Sequence, residues 1–129
     1  MLQTGLITEL EWIVKEEDSA KVVGSGSVMV LSTPKLIALM ENAAMNAVSN
    51  HLEDGTGTVG IKISAEHIAA TPLGMKVKVK AVLTSIENRK LVFELEAFDE
   101  FEKIAFGTHE RFIIHEEKFM AKVNAKSIK

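Results

Sequence analysis

VLSTPKLIALMENAAMNAVSNHLEDG, residues 30–55, is the stretch on which the architecture turns. A proline at the first helical position, with Thr33 before it as N-cap, reads as a helix start. Proline lacks an N–H that the first turn leaves unpaired anyway, and its fixed φ suits the helix. Ala, Leu and Met fill the body and Gly55 closes the segment, so a helix is predicted over 34–52. At about 100° per residue, Lys35, Asn42, Asn46, Ser49 and Asn50 gather into one polar stripe. Ile37, Ala44 and Val48, flanked by Met40 and Met45, lie on the other side. A helix apolar over so much of its circumference has to be covered on nearly every side.

The flanking sequence supplies the cover. Residues 6–14 (LITELEWIV) predict a strand that Glu16-Glu17-Asp18 ends, and 27–32 (SVMVLS) predict a short second strand. After a turn at 55–57, strands are expected over 58–70, 75–87, 90–100 and 103–115. Thr71-Pro72-Leu73-Gly74 and Asn88-Arg89 separate them as tight antiparallel connections do. A short helix is expected near 116–125, with a basic, solvated end over 122–129. Consecutive strands with short turns make an antiparallel sheet. A curved antiparallel sheet wrapped around one long central helix answers both demands. The predicted class is therefore α+β with a hot-dog fold, in a single domain spanning 1–129.

Composition narrows the function. With 47% hydrophobic and 26% charged residues the chain has the make-up of a core-forming protein rather than a disordered one. A net charge of −3 argues against a nucleic-acid partner, and an anion would need a local cluster of cations. No cysteine is present, which excludes disulfides, thiolate nucleophiles and Cys-ligated zinc. The start, MLQTGLITELEW, carries Glu9 and Glu11 within its apolar pattern, unlike a signal peptide. No apolar run approaches the roughly 18 residues of a membrane span. No membrane partner and a cytoplasmic location are the expectations.

Two ionisable side chains stand out of phase. Glu41 falls on the apolar side of the helix, where a carboxylate is costly unless it is paired or working. A structural hydrogen bond and a general base or nucleophile are both open there. In 58–70, Val59, Ile61, Ile63, Ala65, His67 and Ala69 share one face, opposite Lys62, Ser64 and Glu66. His67 thus points toward the helix, and two ionisable groups aimed into one interior are hard to explain as packing. His51 suits the helix C-terminus. His109 and His115 alternate with Phe112 and Ile114, which assigns them an outward, structural phase, and Arg111 is outward by the same count. No HExxH-type spacing supports a metal site. Thr33 as cap is compatible with chemistry, because a helix N-terminus stabilises anions. It precedes Glu41 by eight residues, roughly 12 Å along the axis. Even with Glu41 leaning back, the two groups meet through water or across a two-fold interface. The interface is the preferred reading.

VLSTPKLIALMENAA (30–44) together with TVGIKISAEHIAATPLGMKVKV (58–79) resembles the fluoroacetyl-CoA thioesterase-like family of hot-dog proteins. That family has a Thr before Pro, a Glu eight positions on and a His 26 positions later, a pattern met here by Thr33, Glu41 and His67. Gly60, seven before the histidine, and Arg111, in HERF, match a family glycine and arginine; the likeness covers about 5–120. It implies hydrolysis of an acyl-CoA thioester. Glu41 is then nucleophile or base for water, Thr33 assists, and His67 orients water or protonates the leaving thiolate. Gly60 and Arg111 lie at the substrate. CoA enters as part of the substrate, so no cofactor and no metal are expected. Residues 24–32 (GSGSVMVLS) lack the aromatic of the specialised fluoroacetyl member, and a short or medium acyl group is expected instead. Lys76, Lys78 and Lys80 form either a solvated strand face or a contact for the CoA phosphates. A long apolar helix and an open sheet edge suggest a homodimer, with a tetramer as the alternative. The competing function is a non-catalytic acyl-CoA-binding or sensing module, which has no need of a carboxylate on an apolar face. A hydratase of this fold wants an Asp and a His about five apart at a helix start, and none exists here.

Overall fold

The computed structural model describes residues 2–127. Its elements are β1 (Ile7–Ile13), a 3-10 turn (Glu16–Asp18), α1 (Ala20–Val23), α2 (Thr33–Ser49) and β2 (Thr56–His67). β3 (Lys76–Glu87), β4 (Lys90–Phe98), β5 (Lys103–His115) and α3 (Glu116–Ala125) follow. One antiparallel sheet runs in the order β1-β3-β4-β5-β2, and α2 packs along its inner face. The class is α+β and the architecture is the hot-dog fold.

Alternation explains the packing. Val77, Val79, Ala81 and Leu83 of β3 and Leu91, Phe93, Leu95 and Ala97 of β4 are buried at every second position. They meet Leu36, Met40, Ala43, Ala44 and Val48 of α2. Full burial of each large side chain contributes roughly 1.5–3 kcal/mol. On the outer face the lysine row of β3 stands against carboxylates. Lys78 pairs with Glu11 and Lys80 with Glu9 and Glu96 in the register, and Lys76 Nζ lies 3.6 Å from Glu11. That row is a neutralised, solvated face.

Three differences from the expected elements have physical reasons. Residues 27–32 form no strand, because the chain doubles back through α1, which Gly24 ends in the left-handed region (φ 92). Only isolated bridges, Ser19 to Leu31 and Val30 to Pro72, remain. The cap of α2 is Ser32, whose hydroxyl accepts from Lys35 N at 3.1 Å; Thr33 is the first helical residue. The helix stops at Ser49, three residues short of the expected end, with Asn50 as C-cap. The end read as solvated from residue 122 continues α3 to Ala125, without buried residues; its last two residues lie outside the described ones.

Asp18 ties the start of α2 to β1. Only 3% exposed, it accepts from Trp12 Nε1 at 2.8 Å and Lys15 N at 2.9 Å, and Lys35 Nζ lies 3.6 Å away. Burial alone would raise this carboxyl, but the hydrogen bonds and the Lys35 charge hold it below the usual carboxylate range. Among the described residues no helix is long and apolar enough to cross a membrane.

Candidate active site

The Ser32 cap leaves Thr33 free. Its Oγ1 shares a 2.7 Å hydrogen bond with His67 Nδ1, so the first turn of α2 is joined to the far end of β2. The other ring nitrogen, Nε2, is buried and has no hydrogen-bond partner among the described residues. Burial pushes the His67 pKa below the ordinary histidine value, so the ring is a neutral acceptor or donor near neutral pH. A cleft of about 300 Å³ opens here, lined by Ala20, Ser25, Val30, Leu31, Ile68 and Ala69 beside Thr33 and His67. Its walls are small or aliphatic.

Glu41 sits elsewhere. It is half-buried, at the edge of the buried stripe of α2 rather than within it. A second cleft of about 430 Å³ runs between Ala38, Glu41, Met45, Thr58, Gly60 and Arg111. Gly60 is what opens it. A Cβ there would stand 3.1 Å from His109 Cε1, 3.2 Å from Glu41 Oε2 and 3.4 Å from Arg111 Nη1. The guanidinium therefore lies beside the carboxylate, yet the two form no ion pair. Arg111 is instead held by Thr58, donating from Nε to Oγ1 (2.8 Å) and from Nη2 to the carbonyl (2.9 Å).

These positions correct two readings of β5. Arg111 and His109 are 6% and 1% exposed and face inward, not outward. Phe112, whose apolarity set the wrong phase, lies outside under Arg89. The signal lay in β4. Its register pairs Leu91 with Arg111, Phe93 with His109 and Leu95 with Gly107, and cross-strand partners share a face. The unambiguous phase of β4 carries over to β5. The face expected for β2 likewise holds for Ile63, Ala65 and His67 but not beyond the bulge between Gly60 and Lys62. There Ile61 is exposed, and Gly60 takes the inner side instead.

The single chain brings Thr33 to His67, and Gly60 and Arg111 to Glu41. It does not bring the two groups together. They occupy separate clefts, with helix positions eight residues apart, roughly 12 Å. Among the described residues no cluster of three or more His, Asp or Glu is arranged to hold a metal. A larger cleft of about 650 Å³ lies on the outer sheet face near Lys80, Glu96, Lys103 and Phe106. Lys103 and Glu96 pair there at 2.8 Å, and the cleft shares no lining residue with either of the other two.

Known proteins resemble this chain in sequence and fold. A family model described as fluoroacetyl-CoA-specific thioesterase matches residues 14–117. A curated fluoroacetyl-CoA thioesterase of Streptantibioticus cattleyicolor is 45% identical over 98 residues, 76% of this chain and 70% of that protein. The solved structure of the fluoroacetyl-CoA thioesterase FlK superposes with a TM-score of 0.91 at 35% identity, over 98% of each chain. A mutant of the same enzyme in complex with fluoroacetate and CoA superposes with a TM-score of 0.86 at 34% identity, over 92% of this chain and 99% of that one.

Proposed function

The chain belongs to the fluoroacetyl-CoA-specific thioesterase family, a family of thioester hydrolases, and on that premise we propose that it hydrolyses a short or medium acyl-CoA to free acid and CoA. The observation that carries this reading is the unpaired Glu41 carboxylate, with the bare Gly60 and the Arg111 guanidinium beside it. A carboxylate kept from its neighbouring cation stays available as a nucleophile or base. Without a side chain at residue 60, a thioester carbonyl has room to approach it.

Two routes use this geometry. In one, Glu41 attacks the thioester carbon, expels the thiolate and forms an anhydride that water opens. In the other, Glu41 takes a proton from water as the water attacks the same carbon. In the general-base route the oxygen of water ends in the acid. In the anhydride route it ends in the acid or in the Glu41 carboxylate, according to which carbonyl water attacks, and in both routes the thiolate gains a proton. His67 Nε2, unengaged by protein, suits proton delivery or orientation of water, with Thr33 fixing the ring through Nδ1. Arg111 holds the carbonyl or the charge developing on it. No cofactor beyond the CoA of the substrate is required, and residues 1–129 act as one domain. The cytoplasm is its expected place, because a charged CoA ester does not cross a bilayer unaided.

The site needs Thr33 and His67 of one chain beside Glu41 of another. The outer edge of β2 has no partner strand among the described residues, and Ile61 is exposed along it. Antiparallel pairing of two such edges sets residues equally far from the two-fold axis opposite each other. An axis through Ser64 sets Ile63 opposite Ala65 of the partner subunit. With the extra residue of the bulge at Ile61 taken up against Glu66 of the partner subunit, Gly60 stands opposite the partner's His67, both on the helix-facing side. A homodimer is the resulting assembly.

Substrate choice follows from the first cleft. Its small aliphatic walls, with Val28 and Met29 exposed nearby and no aromatic over 24–32, favour a general acyl pocket over one specialised for fluoroacetyl. The test is release of free thiol from a series of acyl-CoA esters of increasing chain length, with fluoroacetyl-CoA included. Turnover of short and medium esters without preference for fluoroacetyl is expected. Saturable binding with no thiol released from any of them would overturn the reading in favour of a sensor.

A further inference from the structure

We propose that His109 is a positioning residue for Arg111, acting as a neutral imidazole with its proton on Nδ1. The proposal rests on the reading of Arg111 as a substrate-binding group and adds what holds that group in place. His109 Nδ1 lies 2.8 Å from the Lys62 carbonyl, at the β-bulge. A carbonyl only accepts, so Nδ1 carries the hydrogen. Arg111 Nη1 lies 3.2 Å from His109 Nε2. A guanidinium only donates, so Nε2 keeps its lone pair. Together the two contacts admit one protonation state. A second proton on the ring would set N–H against N–H and two cations in contact. Burial acts in the same direction and pushes the ring's pKa down.

The surroundings are compatible with that state. Glu41 of α2 lies across the open position at Gly60 from His109 Cε1, and the Lys62 carbonyl of β2 accepts from Nδ1. Phe93 of β4 packs on it with ring centroids 6.2 Å apart. Arg111 is the neighbouring cation, and Glu110, next along β5, points to the opposite face.

The consequence for Arg111 is specific. Thr58 holds Nε and Nη2, and His109 holds Nη1, the nitrogen 3.4 Å from the open position at Gly60. One N–H on each terminal nitrogen is left for a ligand. Without the His109 acceptor, the nearest anion for Nη1 is Glu41. An ion pair there would occupy the carboxylate that does the work and withdraw the guanidinium from the carbonyl. A histidine with no contact to substrate thereby keeps the base and the cation apart.

The experiment compares wild type with His109→Leu, His109→Gln, Arg111→Met and the His109→Leu/Arg111→Met pair. It records kcat and KM on the best acyl-CoA ester, thermal unfolding, and the nitrogen-15 histidine NMR spectrum of wild type. His109→Leu is expected to lower kcat/KM by about 10- to 100-fold, the scale of a displaced catalytic group. His109→Gln, which offers one donor and one acceptor at similar spacing, should recover most of that loss. In the Arg111→Met background the same leucine should cost little more, because its effect passes through Arg111. The spectrum should show His109 protonated at Nδ1 and bare at Nε2 at neutral pH. Additive losses in the pair, a glutamine no better than leucine, or a hydrogen on Nε2 would each overturn the proposal. If His109→Leu does not fold, His109→Gln and the tautomer decide the matter. If wild type releases no thiol, the functional reading fails, while the tautomer still tests the positioning on its own.

Discussion

Burial sets the charge of two histidines before any chemistry begins. His67 and His109 both have pKa values pushed below the ordinary histidine range, chiefly by loss of solvent. In the unfolded chain both titrate near the usual value of about 6.5. As pH falls through that value, the unfolded chain takes up protons that the folded chain refuses. The contribution of these groups is therefore fully present above about pH 6.5 and is lost as pH falls toward their folded pKa values. Asp18, Glu96 and Asp99, all held below the usual carboxylate range, act in the same direction only at more acid pH. Denaturant titrations between about pH 7 and pH 5 should show falling stability, and His109→Gln should flatten part of the slope. Stability that stays level or rises toward pH 5 would mean that these rings are not desolvated as described.

At the scale of elements, α2 was legible from the sequence because its signals are local. Proline, the Ala, Leu and Met body and the apolar face each act within a turn or two. Its cap was misassigned by one residue, since proline is tolerated throughout the first turn and does not say whether Ser32 or Thr33 precedes the helix. The correction separates two roles. Ser32→Ala should cost about 1 kcal/mol of stability, as loss of a capping hydroxyl does, with its effect visible in denaturant midpoints. Thr33→Ala should leave stability nearer wild type, because the Thr33 side chain is exposed and bonds only His67, and should lower turnover instead. The reverse pattern would return the capping role to Thr33. The inward phase of His109 and Arg111 was not legible from β5 alone. Phe106 and Phe112 point outward while Ala105, Gly107, His109 and Arg111 point inward, so apolarity runs against burial on that strand. The bulge at Ile61 was illegible for a different reason. A single extra residue in an edge strand leaves no periodic trace, although it sets Gly60 beside Glu41.

At the scale of the molecule, sheet order decides what the site can be. β2 is an edge strand that carries Gly60 at its bulge and His67 at its end. One chain therefore presents the glutamate cleft and the threonine–histidine cleft as two separate clefts. The sequence anticipated this separation through the eight-residue spacing of Thr33 and Glu41, but not that His67 would side with Thr33 and Arg111 with Glu41. Those groupings depend on strand order, and no local pattern encodes it. The central claim is that the working site joins Glu41 of one subunit to Thr33 and His67 of its partner. Its most direct measurement mixes Glu41→Gln with a Thr33→Ala/His67→Ala double variant under conditions of demonstrated subunit exchange, and follows thiol release. Each variant alone should be inactive. The equimolar mixture should recover about a quarter of wild-type activity, since half of the dimers are mixed and each mixed dimer holds one intact site of two. A mixture as inactive as its components, with exchange proven, would contradict the shared site.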